Sequence, residues 1–270
     1  MIPPPTVEHR MRNAAKTRDL QVISVPGIPL IEPGTDLVSL ICDITQSRGP
    51  VLRDGDVLVF AQKIVSKAEG RYVDLAAVEP SERAVALSNE VQKDARLVEV
   101  ILSESRTVLR HKPGVLIVEH RLGFVLANAG VDQSNVDPRR GARPVLLLPE
   151  DPDRSARLLH EGLRLRLGKN IAVIINDSLG RAWRLGTVGV ALGSAGLPAL
   201  CDLRGQPDLY DRPLQVSETG FADEIAAAAS LLMGQADEAT PVIVVRGLTW
   251  SAKASSAAQL LRNAEDDLFR

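Results

Sequence analysis

The chain has 270 residues, with 32 basic and 34 acidic side chains and a formal net charge of −2. This balance leaves no basic excess for nucleic acid or an anionic membrane, so a small molecule is the expected partner. No run of 18 apolar residues and no apolar signal segment occurs, and Cys42 and Cys201 lack a metal-type spacing, so we expect a reduced, cytoplasmic protein.

Hydrophobic periodicity and turn residues predict a mixed α/β (α+β) fold. Residues 1–20 are polar and rich in proline and are expected to form a flexible leader. The predicted strands are 20–25, 57–60, 115–120, 145–148, 171–175 and 241–245. The predicted helices are 36–45, 81–94 with Ser81 as its cap, 96–104, 153–167 ended by Gly168, and 218–233. The expected organisation is one domain or two intimately joined ones over residues 21–250, then a polar tail at 251–270 that frays.

Two acidic residues follow predicted buried strands and suggest a metal site. Asp132 lies in the small-residue loop 127–135 (ANAGVDQSN), and Asp177 comes directly after the strand 171–175. If the fold brings these strand ends together, two carboxylates and the Ser178 hydroxyl supply the oxygen ligands that Mg²⁺ or Mn²⁺ takes. The alternative is that each aspartate only forms a turn.

Lys63 and Lys67 lie four residues apart, in a segment that fits a strand or a helix, and could together neutralise a polyphosphate. The alternative is a pair of ordinary solvated lysines. Neither GxxxxGK[ST] nor GxGxxG occurs, so a nucleotide needs another loop design. The turn Gly27, Ile28, Pro29, Leu30 is a candidate because glycine lets backbone amides approach a ligand, although a structural turn has the same pattern.

Two aromatic residues leave alternatives open. His120 could serve a substrate or could be a hydrogen-bonded structural residue. Trp183, flanked by Arg181 and Arg184, could stack on a ring while the arginines bind a phosphate, or it could be a partly buried core residue.

Seven segments, taken together, resemble the coenzyme F420-0:γ-glutamyl ligase family over residues 20–248. They are GIPL at 27–30, DGDVL at 54–58, AQKIVSKAEG at 61–70, VEHRLGF at 118–124, ANAGVDQSN at 127–135, LPEDP at 148–152, and GQ at 205–206 with DLY at 208–210. The resemblance implies a two-part α/β fold, an intertwined homodimer, and a stand-alone catalytic domain over residues 21–250 without a C-terminal reductase domain.

The resemblance also implies an activity, which is GTP-dependent addition of L-glutamate to F420-0 with Mn²⁺ or Mg²⁺ and K⁺. By the family pattern, the metal ligands are Asp132, Asp177, Ser178 and Gln235. The nucleotide contacts are Gly27, Ile28, Pro29, Leu30, Lys63, Lys67, Asn135, Met233, Gly234, Gln235, Ala236, Asp237, Glu238, Ala239 and Thr240. Asp132, Asp177 and Lys63 are expected to take part in catalysis.

The chain departs from the family pattern at two places. The family commonly reads Ser-Asp-Thr where this chain has Asn176, Asp177 and Ser178, which retains the hydroxyl, and it usually carries aspartate where this chain has Gly189. The missing acid motivates one alternative, a ligase for a variant acceptor or another amino acid. A second alternative is a homologue that binds GTP or F420 without catalysis.

Overall fold

A computed structural model describes residues 19–268 and confirms a mixed α+β architecture. The predicted leader lies almost entirely outside the described residues. The α-helices are α1 Leu37–Ser47, α2 Gln62–Ala68, α3 Glu82–Val91, α4 Ala95–Ser103, α5 Pro152–Leu167 and α6 Phe221–Met233. The strands are β1 Gln21–Ser24, β2 Val57–Ala61, β3 Tyr72–Asp74, β4 Ser105–Lys112, β5 Val115–His120, β6 Val125–Ala127, β7 Pro144–Leu146, β8 Ala172–Arg181, β9 Arg184–Ala195, β10 Cys201–Asp202, β11 Glu218–Thr219 and β12 Val242–Arg246.

A five-stranded sheet in the order β1-β12-β2-β8-β9 forms the centre of the fold. β2 and β8 are parallel, and the other neighbouring pairs are antiparallel. Alternate side chains of the central strands enter two different cores because successive residues of a strand point to opposite faces. Leu58 and Phe60 pack with α1 and α5 on one face, while Val57 and Val59 pack with α6 on the other.

A third cluster of buried residues joins α3 and α4 to the sheet of β4, β5 and β6. Phe124, Leu126, Leu148 and Leu192 form a further cluster that packs this part against β9. The described residues therefore form two cores on the faces of the central sheet and a third core in the smaller part, which the Phe124 cluster packs against β9. No helix within residues 19–268 is both long and apolar enough to cross a membrane.

Helix caps explain where several elements begin and end. Asp36 accepts a hydrogen bond from the Ser39 amide at the start of α1, and Ser81 accepts one from the Ala84 amide at the start of α3, as predicted. α5 begins at a proline and ends at Gly168, whose φ of 64° gives the left-handed cap predicted for it. The predicted helix 81–94 is shorter in the structure because Gln92 is left-handed, and the predicted helix 96–104 begins and ends one residue earlier because Asp94 caps it.

Three other predictions need correction: the start of one helix, the burial of one strand and the order of the tail. Residues 218–219 form β11, so the predicted helix begins at Phe221 rather than at Glu218. β5 is half-buried rather than fully buried, with alternating buried side chains. The expected fraying of the tail is wrong around Ala257, which is fully buried, and the amides of Ala257 and Ala258 donate to the Asp153 carboxylate at 2.8 and 3.2 Å.

Candidate active site

A cavity of about 780 Å³ opens at the carboxyl end of β2. Its walls are residues 28–32, the first turns of α2, residues 135–139, residues 176–178 of β8 and residues 233–241. β2 stops at Ala61, which pairs with Asn176, whereas β8 continues for five more residues. The cavity therefore occupies the space beside β8 that β2 leaves open, and ligands commonly bind at the carboxyl ends of parallel strands.

α2 brings two lysines to one wall of the cavity. Lys63 and Lys67 are one helical turn apart and both line it. The Lys63 ammonium lies 2.7 Å from Asp132 Oδ2 and donates to Ser134 Oγ at 2.8 Å. The Lys67 ammonium donates to the Asn135 carbonyl at 2.7 Å. Both charges are thus held against the loop that carries Asp132.

Burial and charge act together on Lys67. Burial lowers the pKa of its ammonium, and the neighbouring charge of Lys63 lowers it further, against the opposite effects of Asp137 and Asp132. Two like charges partly removed from water are destabilising unless an anion comes between them. This wall of the cavity is therefore suited to an anionic ligand.

The Asp132 loop has an unusual backbone. Asn128, Ala129 and Gly130 are all left-handed, with φ of 54°, 52° and 68°. Ala129 is fully buried, and a Cβ at Gly130 would come within 2.8 Å of the Leu148 side chain. Left-handed backbone at residues other than glycine is disfavoured and persists only where surrounding contacts impose it.

Hydrogen bonds then hold Asp132 in place. Its amide and carbonyl pair with those of Leu146 at 2.9 Å each, and its Oδ1 accepts from the Ser134 amide and hydroxyl at 2.7 and 2.8 Å. The loop therefore presents the Asp132 carboxylate in one orientation, against Lys63. A carboxylate that is positioned in advance loses less entropy when it binds a ligand.

Asp177 lies within β8, which corrects the prediction that the strand ends before it. β9 pairs with β8 through Arg181, across a bulge between Ile175 and Asn176, so the polar residues 176–178 belong to a continuous strand. Burial raises the pKa of the Asp177 carboxyl to about 7, and the charge of Asp132 also raises it, although the Ser178 amide and Lys63 act in the opposite direction. A cation near Asp177 would stabilise its charged form.

The segment that follows α6 closes the cavity. Ser178 Oγ donates to Gln235 Oε1 at 2.7 Å, and the Asn135 side-chain amide donates to the Ala236 carbonyl at 3.0 Å. Within the segment, the Thr240 hydroxyl donates to the Leu232 carbonyl at 2.7 Å. These contacts join β8, the Asp132 loop and residues 233–241 around one space.

The structure brings most of the predicted site residues together. The predicted residues that line the cavity are Ile28, Pro29, Leu30, Lys63, Lys67, Asn135, Asp177, Ser178 and Met233, Gly234, Gln235, Ala236, Asp237, Glu238, Ala239 and Thr240. Two predicted residues do not line it. Asp132 lies behind Lys63, and Gly27, with φ of 73°, turns the chain before residue 28 while its carbonyl accepts from Arg48 Nη2 at 3.1 Å.

Several cavity residues were not assigned from the sequence. Tyr72, Asp137 and Arg139 also line the cavity, and the Arg140 guanidinium lies 5.5 Å from the centre of the Tyr72 ring. No motif distinguishes these residues. Asn176 also lines the cavity, and a polar residue after an apolar run was the signal that could have identified it.

The oxygen atoms at one end of the cavity fit a hard divalent cation. Within residues 19–268 no three His, Cys, Asp or Glu side chains converge as a metal site. The predicted ligands are Asp177, Ser178 and Gln235 on the cavity wall and the Asp132 carboxylate behind Lys63. Mg²⁺ is commonly bound by one or two carboxylates with phosphate oxygens completing its shell. The buried Asn176 Oδ1 beside them has no hydrogen-bond partner in the described part of the chain.

Gly189 is a point of close packing between β9 and α6. A Cβ at this position would lie 2.2 Å from Ser230 Oγ and 2.4 Å from the Ala226 carbonyl oxygen. The backbone of α6 thus occupies the space that an aspartate side chain would need. Replacing Gly189 with aspartate would therefore displace the helix.

The structure shows the surroundings of His120 and Trp183, the two aromatic residues for which the sequence left alternatives open. His120 is fully buried, and its Nδ1 accepts from the Leu122 amide at 3.0 Å, which makes it a structural residue. Trp183 is 87% exposed at the turn between β8 and β9, so the core alternative is wrong.

Comparison with known proteins supports one family. The family described as F420-0:Gamma-glutamyl ligase matches residues 27–247. The coenzyme F420:L-glutamate ligase of Methanothermobacter thermautotrophicus is 45% identical over 253 residues, which cover 93% of this chain and 99% of that protein. The protein of the same name from Methanopyrus kandleri is 43% identical over 258 residues, with coverage of 93% and 99%. The chain therefore belongs to the F420-0:γ-glutamyl ligase family.

Proposed function

We propose that the protein joins L-glutamate to the terminal carboxylate of coenzyme F420-0, and then adds further glutamates through γ-linked amide bonds, with GTP as co-substrate. Family membership and the names of the two relatives support the ligation of glutamate in F420 biosynthesis. The observation that carries the proposal is the shared cavity, in which two lysines line one wall while Asp177, Ser178 and Gln235 line another.

The proposed chemistry activates a carboxylate before the amide bond forms. A carboxylate oxygen of F420-0 attacks the γ-phosphorus of GTP, GDP leaves, and an acyl phosphate results. The uncharged amine of glutamate then attacks the acyl carbon, the bond from this carbon to the phosphate oxygen breaks, and phosphate leaves while the nitrogen loses a proton. Phosphorylation is needed because a free carboxylate is a poor acyl donor to an amine.

The residues of the cavity are suited to hold these groups. Lys63 and Lys67 would exchange their contacts with the Asp132 loop for phosphate oxygens, and the backbone amides of Ile28 and Leu30 would add hydrogen bonds. Asp132, Asp177, Ser178 and Gln235 would hold Mg²⁺ or Mn²⁺, which when bound neutralises charge that develops during phosphoryl transfer. Dependence on K⁺ stays a prediction from the family resemblance.

The homodimer is also part of the proposal. Leu209, Tyr210 and Val216 are 58%, 69% and 84% exposed in the segment between β10 and β11, and Leu231 is 84% exposed on α6. Large apolar side chains at the surface are typical of contact between subunits. We expect a mass of two chains, and light scattering of the purified protein over a range of concentrations checks it.

The test is to incubate purified protein with F420-0, L-glutamate, GTP and Mn²⁺ and to examine the product by mass spectrometry. We expect stepwise glutamyl additions that disappear when GTP or the metal is omitted. A panel of other acceptors and amino acids runs in parallel, and the proposal fails if F420-0 with glutamate is the poorest pair. Binding of GTP and metal without acceptor-dependent release of GDP would instead indicate a non-catalytic binding protein.

A further inference from the structure

The hairpin formed by β8 and β9 extends beyond the central sheet. Pairing of β8 with β2 ends at Asn176, while pairing with β9 continues until Arg181 lies opposite Arg184. Residues 180–187 are all exposed. Trp183 sits in the turn with 87% of its surface exposed and a left-handed φ of 63°. A bulky side chain in this backbone region is uncommon, and such strain is concentrated at functional sites.

The charge at this turn is also unfavourable for the isolated hairpin. Arg181 and Arg184 are directly opposite each other, and residues 179–187 contain no acidic side chain. Like charges at opposite positions of an antiparallel pair are destabilising. Arg181 Nη2 donates to the Leu185 carbonyl at 3.3 Å, which keeps its guanidinium close to the turn. An anionic group bound between the two arginines would remove the repulsion.

The turn also has a defined position relative to the cavity. Asp177 and Arg181 are four residues apart on β8, and strand alternation puts both side chains on one face, with a shift in the pairing to β9 between Gly180 and Arg181. A rise of about 3.3 Å per residue separates them by about 13 Å, and the turn with Trp183 lies just beyond. From the cavity outward, the hairpin therefore carries Asp177 of the proposed reaction centre, then the guanidinium groups of Arg181 and Arg184, then the Trp183 ring.

We propose that residues 181–184 bind the acceptor substrate through a phosphate held by Arg181 and Arg184 and a flat aromatic ring stacked on Trp183. The inference rests on the proposed function, because the order of groups matches a molecule that has a reactive carboxylate at one end, a phosphodiester next and a deazaflavin ring beyond. Arginine is suited to phosphate by its planar fork of donors, and stacking on tryptophan adds affinity without needing a particular ring substituent.

The test measures F420-0 binding by the change in its own fluorescence, without GTP or glutamate, and then the steady-state kinetics. Trp183→Ala and the double variant Arg181→Gln, Arg184→Gln are expected to weaken F420-0 binding at least about tenfold, while Trp183→Phe retains most of it. KM for F420-0 rises with kcat and GTP binding unchanged, because the lost contact is equal in the ground and transition states.

Matched controls separate a specific contact from a general effect on the hairpin or on charge. Leu185→Ala removes a 98% exposed apolar side chain from the same turn, and Arg157→Gln removes an exposed guanidinium from α5. Both are expected to bind F420-0 as the parent protein does. If the parent protein ligates glutamate and folded Trp183→Ala binds F420-0 as tightly as the parent does, this inference is overturned while the proposed function stands.

Two further outcomes would also overturn it. If the parent protein neither binds F420-0 nor extends it, the proposed function fails and the inference fails with it. If the Trp183 and arginine variants become monomers by light scattering, and F420-0 binding recovers when their concentration is raised, the hairpin is an interface between two copies of the chain.

Discussion

Asp177 and Glu104 are both carboxylates removed from bulk water, yet their pKa values move in opposite directions. Burial raises the pKa of Asp177 to about 7, and the nearby charge of Asp132 adds to this effect. Burial also acts to raise the pKa of Glu104, but the neighbouring His120 ring and the charges of Arg121 and Arg71 outweigh it and lower the pKa to about 2. The difference lies in the partners that the chain supplies to each acid.

The geometry around Glu104 shows a completed ion cluster. Arg71 Nη2 and Arg121 Nε lie 3.0 and 3.1 Å from Glu104 Oε2, and His120 Nε2 lies 3.5 Å away. His120 Nδ1 accepts from the Leu122 amide, and its buried Nε2 faces Glu104 without a hydrogen bond within residues 19–268. Glu104 is therefore a structural acid, whereas Asp177 is a half-buried acid on the cavity wall that a bound cation would complete.

The largest expected effect is that of Asp177→Asn on activity. This near-isosteric change removes a negative charge from the proposed cation site, and we expect kcat for glutamate addition to fall at least about 10³-fold. The free energy of unfolding should stay equal or rise, because the lost charge was disfavoured by burial. Single-turnover mass spectrometry and urea unfolding measure the two quantities. Near-normal activity in a folded variant would remove Asp177 from the site.

Glu104→Gln is expected to reverse this pattern. Removing the acid leaves Arg71 and Arg121 without their counter-charge, so the free energy of unfolding should fall by about 3 kcal/mol. Activity per folded molecule should be retained, because Glu104 does not line the cavity. Urea unfolding at neutral pH gives the stability difference. A loss of activity without a loss of stability would contradict the structural role.

The same acid predicts how stability depends on pH. Because folding lowers the pKa of Glu104 from 4.5 to about 2, its contribution is fully present above pH 4.5 and is lost as the pH falls toward 2. The parent protein should therefore lose stability over this range more steeply than Glu104→Gln does. Urea unfolding at a series of pH values tests this. Parallel curves for the two proteins would exclude Glu104 as the source.

Gly189→Ala tests the packing behind the Asp177 strand. The new Cβ would meet the Ala226 carbonyl and the Ser230 hydroxyl, so we expect a loss of about 1 to 3 kcal/mol. Gly180→Ala is the control on the paired strand, because a Cβ at Gly180 meets nothing within 4 Å. Gly189→Asp should be less stable still and gain no activity. A stable, more active Gly189→Asp would show that α6 can move.

The smallest expected effect is that of Lys67→Gln on nucleotide binding. Removing one ammonium that lines the cavity should weaken GTP binding about tenfold at low salt, with little change in stability. Lys253→Gln, at an exposed position outside the cavity, is the matched control. Isothermal titration with GTP and Mn²⁺ measures both variants. Equal affinities would place the phosphates away from α2.

Much of the fold could be predicted from local patterns. Continuous apolar residues predicted β2 and β12, and the caps Ser81 and Gly168 were identified because capping depends on short-range hydrogen bonds and backbone conformation. The predicted boundaries were wrong where contacts with residues distant along the chain determine them. β8 extends past Ile175 because β9 pairs with its polar half, and the tail is ordered at Ala257 because the Asp153 carboxylate binds its amides.

The sequence by itself determined the family, the apolar strands and the residue types of the candidate site, since these depend on composition, spacing and ordered motifs. Only the tertiary structure decided that Lys63 contacts Asp132, that α6 fills the space beside Gly189, and that Trp183 projects into solvent. The physical reason is that burial, pKa values and steric room arise between segments distant along the chain, whereas propensity and capping arise between near neighbours.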